Sequence, residues 1–375
     1  MAHDTDNDHD NGTAKLVVAV LFGGRSSEHS ISCATAGGVL AAIDRAKYDV
    51  IPVGITVDGA FTLQPDDPAA FALDGETLTS VPDNGTRVQW PHSSASRELT
   101  VADAAGQARS LGDIDIVFPI LHGPFGEDGT IQGLLELIGL PYVGAGVLAS
   151  AVGMDKHFSK TLLQHSGIAV APWRAVSARE WAASPDDIVA AADTLGWPVF
   201  VKPARAGSSV GVSRADTAAE LPAAMAVALA EDSKVLIEAM LVGREIECGV
   251  IGGRRGEAPR VSVAGEIIVR GAGFYDFTAK YLDAGGVDLV CPASLTPDEL
   301  AEMQRLAALA FESIGAAGLA RVDFFLTESG FVINELNTMP GFTPISMFPK
   351  CWMATGLSYP ELIDELIEIG LETVR

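Results

Sequence analysis

Continuous apolar runs, rather than strict alternation, set the pattern of the first third of the chain. LVVAVLF (16–22) ends at Gly23-Gly24, YDVIPVGIT (48–56) follows, and DIDIVFPIL (113–121) comes later. Short apolar runs bounded by turn residues predict strands buried on both faces, as in a parallel sheet. Between the first two, SEHSISCATAGGVLAAID predicts a helix with Ser26 or Ser27 as its cap. HGPFGEDGTIQGLLELIG predicts a loop and a helix after the third. Residues 57–112, rich in Pro, Asp, Asn, Ser and Gly, have weak periodicity and predict loops and edge strands. Residues 15–150 are therefore expected to form an open parallel α/β domain.

The pattern then changes. FSKTLLQHSG predicts a helix, GWPVFVKP (196–203) a strand, ARAGSSVG (204–211) a Gly/Ser loop and VGVSRA a returning strand. ELPAAMAVALAED predicts a helix and KVLIEAML (234–241) a strand, which makes 151–242 a second, small α+β unit. Over 243–375, the strands REIECGVIG, VSVAGEIIV, ARVDFFL and FVINELN are joined by the helix DELAEMQRLAALAFESIG and followed by a C-terminal helix. Residues 1–14 are polar and acidic and predict a disordered tail, without the basic region and apolar run of a signal peptide. No apolar run approaches the ~18 residues of a membrane span.

Composition narrows the partners. Of 375 residues, 48% are hydrophobic and 20% charged, a globular balance, and the net charge of −24 argues against nucleic acid or an anionic membrane as partner. Phosphate ligands stay open, because a few local cations and backbone N–H groups hold them. Cys33, Cys248, Cys291 and Cys351 form no C-x-x-C pair, which points to a reduced, cytoplasmic setting.

The strongest chemical signal is GLARVDFFLTESGFVINELN. Two strand patterns flank TESG, a hairpin signal. A three-residue loop, Glu328-Ser329-Gly330, sets Asp323 opposite Glu335 and Arg321 opposite Asn337, so that all four share one face with Phe325 and Ile333. Asn334 then points away and is dispensable for metal binding. A four-residue loop would instead pair Asp323 with Asn334. Two facing carboxylates repel unless a cation lies between them, and oxygen ligands of this kind suit Mg²⁺ or Mn²⁺ beside phosphate. Taken alone, the pattern also describes a solvated polar face on an edge hairpin.

Other segments add weaker signals. FVKPARAGSSVGVS places Lys202 before a Gly/Ser loop whose N–H groups suit phosphate; an ordinary hairpin turn reads the same way. It is neither a Walker A loop nor a nucleophile elbow, because a strand and not a helix follows. VLIEAMLVGREIE carries Glu238 and Glu245 around an apolar passage suited to an adenine edge and a ribose, or to a plain strand with surface acids. In GGRSSEHS, Glu28 follows a strand end where open sheets bind ligands, and His122 follows another; Glu28 could equally be a capping-region acid. GFYDFTAKYLD (273–283) reads as a long loop of the lid kind or a surface loop with scattered aromatics.

Together and in this order, FGGRSSEHSIS, HGPFGEDGTIQGLLELIGLPYVGAGVLASA, MDK, VKPARAGSSVGVS, FYDFTAKYL, ARVDFF and NELNTMPGFTPISM resemble the D-alanine–D-alanine ligases of the ATP-grasp superfamily, from about residue 16 to 371. The resemblance implies a three-domain ATP-grasp architecture and ATP-dependent ligation of two D-alanines through an acyl phosphate, for peptidoglycan precursors. It implies two Mg²⁺ (or Mn²⁺) ions on Asp323, Glu335 and Asn337. Lys156, Lys202 and Lys280 would contact phosphates under the 204–211 loop, with Ser208, Ser209, Asn334 and Glu335 also toward ATP. Glu238 and the backbone at Met240-Leu241 would meet adenine, and Glu245 the ribose. Glu28, joined to Ser208 and Tyr281, would bind the first substrate's ammonium near His122. Arg321 and the Gly341 N–H would stabilise the tetrahedral oxyanion, and Ser346 and Met347 would take the second carboxylate. Tyr281 favours an amine nucleophile over a hydroxyl. The family is often dimeric, so a homodimer is the assembly to test. Another ATP-grasp carboxylate–amine ligase is the alternative.

Overall fold

The structure, a computed structural model, describes residues 14–71, 79–270 and 286–373. The expected tail, except Ala14, and the 273–283 loop with Lys280 and Tyr281 lie outside the described residues.

The apolar runs form the predicted parallel strands. β1 (Leu16–Gly23) lies between β2 (Tyr48–Ile55) and β7 (Ile116–Ile120), parallel to both, and β3 (Phe61–Leu63) adds an antiparallel edge. Side-chain alternation along β1 feeds two cores. Val18, Val20 and Phe22 pack with α1 (His29–Ala42) and the last helix of the chain. Ala19 and Leu21 pack on the other side with Leu99, Val101 and α2 (Thr130–Leu137). Within 57–112, β4 (Arg87–Gln89), β5 (Glu98–Ala102) and β6 (Ala108–Asp113) form a small antiparallel sheet. Its strands are short and mostly exposed, so only a few positions carry apolar periodicity. The helix cap is also corrected: Glu28 occupies the N-cap position, and the Ser26 hydroxyl donates instead to the His122 carbonyl at 2.7 Å, tying the turn to the end of β7.

The second antiparallel sheet has the order β10 (Ser213–Ala215), β9 (Val199–Pro203), β11 (Lys234–Ala239), β8 (Trp173–Ser177). α6 (Pro185–Asp193) and α7 (Leu221–Glu231) cover it, with α5 (Ala178–Ala183) after β8. α3 (Val147–Met154) and α4 (Lys156–His165) send Ala149 and Leu163 into the core of the third sheet. That sheet runs β14 (Val287–Val290), β13 (Arg260–Val269), β12 (Arg244–Ile251), β15 (Leu319–Thr327), β16 (Gly330–Asn337). α8 (Pro297–Ser313) starts at a Thr296–Glu299 capping box, an arrangement contributing ~1 kcal/mol. α9 (Met347–Thr355) and α10 (Tyr359–Glu372) complete the chain's core. Among the described residues no helix is long and apolar enough to cross a membrane.

The β15–β16 hairpin departs from expectation in an instructive way. Its loop has two residues, Glu328 and Ser329, because Thr327 pairs with Gly330, whose φ of 111° suits glycine. Phe324 then pairs with Ile333, but Asp323 pairs with Glu335. A β-bulge at Asn334 absorbs the difference. The Arg321–Asn337 and Asp323–Glu335 pairs are as expected, for a different reason. Ile333 is corrected to the opposite face, wholly buried with Val322 and Phe324, and Asn334 turns toward the cleft instead of away.

Candidate active site

Two adjoining cavities lie where the three large sheets converge. The first is lined by Lys202, Ser209, Glu238, Leu241, Glu245 and Asn334, and the second by Glu28, His122, Glu127, Arg321, Asn337 and Gly341. Lys156, Ser208 and Glu335 line both, so the two form one continuous cleft.

The first cavity is organised by cations. Lys156 opens α4, its Nζ donating to the Ala206 carbonyl at 2.8 Å and standing 3.4 Å from Glu335. Lys202, at the end of β9, pairs with the Glu238 carboxylate and reaches the Asn334 Oδ1 at 3.4 Å. Glu238 is 2% exposed and pairs also with Lys160, itself 1% exposed. Burial pushes the Glu238 carboxyl up, but the two lysine charges outweigh it and hold the group below its ordinary value. Burial also pulls the Lys160 ammonium down. A buried charge is costly unless paired, so the Lys160–Glu238–Lys202 chain fixes the cavity floor as a unit. Glu238 thus meets any ligand with its carboxylate already engaged.

The second cavity is acidic at one end. Glu28 accepts a hydrogen bond from the Ser208 hydroxyl, bringing the 204–211 loop against the first sheet. Ser208 and Ser209 have φ of 49° and 60°, a left-handed backbone that costs non-glycine residues ~1–3 kcal/mol each. Gly207 allows the approach, since a Cβ there would stand 2.5 Å from Glu28 Oε2. His122 is buried, with Nδ1 at 3.1 Å from the Met339 carbonyl and Nε2 at 3.3 Å from the Thr35 hydroxyl. Burial lowers its pKa and favours neutral imidazole, against the pull of Glu28. Glu127 accepts from the Gly123 and Met339 N–H groups at 2.7 and 3.3 Å. Burial, reinforced by Glu28, nevertheless pushes its carboxyl up to about 8.

The hairpin face closes the cleft. Arg321 makes a two-point pair with Asp323, Nε to Oδ1 at 2.6 Å and Nη2 to Oδ2 at 2.7 Å, and Nε is 3.2 Å from Glu247. Asn337 Nδ2 donates to Asp323 Oδ2 at 2.9 Å, which fixes the amide with its oxygen as the remaining ligand atom. Glu335 and Asn337 line the cleft and Asp323 adjoins them through Asn337; two carboxylates and an amide oxygen are a hard-oxygen donor set, which fits Mg²⁺ or Mn²⁺ and not a soft metal.

Other expected residues sit differently. Met240 is partly exposed, and its N–H donates to the Pro198 carbonyl at 3.2 Å, while Leu241 lines the first cavity. Ser346 caps α9 positionally and pairs with the Thr343 hydroxyl at 2.7 Å, close to Gly341. Met347 packs its side chain with Ile267 and Cys351, leaving its backbone as the part that can meet a ligand. Three residues of the site went unnoticed in the sequence: Lys160, Glu127 and Glu247. Lys160 was legible as the i+4 partner of Lys156 on one helix face, and Glu247 as the i+2 partner of Glu245 on one strand face. Glu127 carries no comparable spacing signal.

A parallel α/β sheet followed by two antiparallel sheets that close on a lysine- and carboxylate-lined cleft defines an ATP-grasp ligase. Family models described as D-ala D-ala ligase N-terminus and C-terminus match residues 17–145 and 162–368. The chain is 53% identical over 363 residues to a D-alanine–D-alanine ligase of Pseudarthrobacter chlorophenolicus, covering 96% of this chain and 95% of that one. It is 54% identical over 362 residues to that of Kineococcus radiotolerans, covering 94% and 96%. Among solved structures, the D-alanine–D-alanine ligase of Coxiella burnetii matches with TM-score 0.79 and 35% identity over 95% of this chain and 94% of that one. A D-Ala:D-Ser ligase of Enterococcus faecalis matches with TM-score 0.82 and 32% identity over 95% and 100%. The chain belongs to the D-alanine–D-alanine ligase family.

Proposed function

We infer that this chain joins two D-alanines into D-alanyl-D-alanine at the expense of ATP, for peptidoglycan synthesis. The observation that carries the reading is the continuous cleft: a lysine-lined cavity meets, through Glu335, a second cavity that holds Glu28 and Arg321. ATP occupies the first, its phosphates toward Lys156, Lys202 and the N–H groups of 204–211. Asp323, Glu335 and Asn337 would hold Mg²⁺, which supplies charge neutralisation at the phosphates. Glu28, kept oriented by Ser208, binds the ammonium of the first D-alanine. The carboxylate of that D-alanine then takes the γ-phosphoryl group to give an acyl phosphate and ADP. The amine of the second D-alanine attacks the acyl carbon; Arg321 and the Gly341 N–H stabilise the oxyanion, and phosphate leaves. Ser346 and the α9 N-terminus orient the second carboxylate.

The division into 15–150, 151–242 and 243–375 is proposed as well; in its support, each large sheet takes its strands from one unit. The cytoplasm, as the compartment of ATP, is the proposed setting. A homodimer is proposed on the family resemblance and is tested by sedimentation. The resemblance to a D-Ala:D-Ser ligase makes acceptor choice the point to test. Purified protein with ATP, Mg²⁺, D-alanine and an equal amount of D-serine should yield D-alanyl-D-alanine as the main product by mass spectrometry. A predominance of D-alanyl-D-serine would replace the acceptor assignment. Glu335→Gln should lower turnover about 10²-fold or more, with circular dichroism unchanged; near-normal turnover would remove the metal role of Glu335.

A further inference from the structure

The sulfurs of Cys291 and Cys351 stand 3.7 Å apart, outside the machinery described above. Cys291 follows β14 directly and is partly exposed. Cys351 lies buried in α9, one turn beyond Met347. Both belong to a small apolar cluster with Ile267 and Met347 that joins β13, β14 and α9. The other two cysteines, Cys33 and Cys248, are wholly buried and have no sulfur partner among the described residues.

We propose that Cys291 and Cys351 are a reversible disulfide-forming pair, oxidised by hydroperoxides, and that the bond restrains acceptor binding. The geometry favours it: sulfurs in van der Waals contact need to close to ~2.05 Å, a shift shared between the side chains and α9. The roles are set by access. Cys291 meets the oxidant, and buried Cys351 resolves the product. The neighbouring Cys351 thiol, helped by the Lys350 charge, lowers the Cys291 pKa despite partial burial. Burial pushes Cys33 up to about 12 and Cys248 well above its ordinary value, so neither competes as a thiolate.

The steps balance with hydrogen peroxide as the two-electron oxidant. The Cys291 thiolate attacks one peroxide oxygen and breaks the O–O bond, giving Cys291 sulfenic acid and hydroxide. The Cys351 sulfur then attacks the Cys291 sulfur, the S–S bond forms, and the sulfenic oxygen leaves as hydroxide. The two protons of the original thiols convert both hydroxides to water. A dithiol reverses the reaction by exchange.

The consequence for activity rests on the proposed acceptor site. Drawing the two sulfurs together pulls Cys351 toward β14, and helix rigidity passes the displacement along one turn to Met347 and Ser346. Cys351 also lies 3.9 Å from the Glu247 carbonyl, and Glu247 braces Arg321. The acceptor side of the cleft therefore moves, whereas the lysine-bearing part of the nucleotide cavity, on β9, β11 and α4, makes no contact with the cysteine cluster.

The test treats the full chain with a small excess of hydrogen peroxide and reads two quantities separately. Intact mass should fall by about 2 Da, the loss of two hydrogens. Peptide mapping should show a Cys291–Cys351 link that dithiothreitol removes and that Cys291→Ser cannot form. Cys351→Ala should stop at a Cys291 sulfenic acid, trapped by dimedone. In the oxidised protein the KM for D-alanine should rise several-fold while the KM for ATP stays constant, both reverting on reduction. Absence of the link, or its formation with unchanged D-alanine kinetics, overturns the proposal. The mass readout does not depend on the ligase reaction, so its failure is distinct from failure of the proposed function.

Discussion

At the scale of single residues, Asn334 shows how one inserted position changes a role. Simple alternation sends it away from the Asp323–Glu335 face; the bulge turns it toward Lys202. Asn334→Ala should raise the KM for ATP about 3- to 10-fold, ~1 kcal/mol for a lost hydrogen bond, with little change in kcat. An unchanged KM for ATP would mean that the side chain does not serve the nucleotide. The Arg321, Asp323, Glu335 and Asn337 constellation was legible because residue type and spacing both point to it. Asn334 was not, because a bulge changes the pairing count without any marker residue. Lys160 was only half legible: its i+4 spacing from Lys156 can be read, but a lysine in an amphipathic helix looks like surface until its burial against Glu238 is seen.

At the scale of elements, the 204–211 loop carries the clearest mechanical requirement. Lys156 holds the Ala206 carbonyl, Glu28 holds Ser208, and Gly207 lies between them with the Glu28 carboxylate where a Cβ would press. Gly207→Ala should leave the urea midpoint nearly unchanged, because the loop lies outside the cores. It should lower kcat/KM for D-alanine about 10²-fold, as expected for an ångström-scale misplacement at the reacting centre. Retained kcat/KM would show that the loop does not need this approach to Glu28. The buried parallel strands were legible from their length and their Gly boundaries. The small sheet of β4, β5 and β6 was not, since one face is solvated and each strand offers the core only one or two side chains.

At the scale of the whole molecule, the site depends on segments distant in sequence. Glu28, Glu127, Ser208 and Glu335 converge from three sheets, and their mutual electrostatics could not be read before the fold was known. Glu127 gives this a measurable form. Its folded pKa of about 8 lies above the ordinary carboxyl value, so the folded state prefers the protonated form. The stabilisation is complete below the unfolded pKa and is lost as pH rises from about 5 through about 8. Glu127→Gln should flatten that part of the urea-midpoint profile relative to the parent; identical slopes would contradict the burial argument. The family, by contrast, was legible from the sequence, because its motifs recur from the first strand to the last hairpin.

The most direct test of the central claim is phosphate release by the purified protein with ATP and Mg²⁺, comparing D-alanine, L-alanine and no amino acid. D-alanine should give sustained release matched by D-alanyl-D-alanine, with the other two at background. Release no greater with D-alanine than with L-alanine would contradict the account.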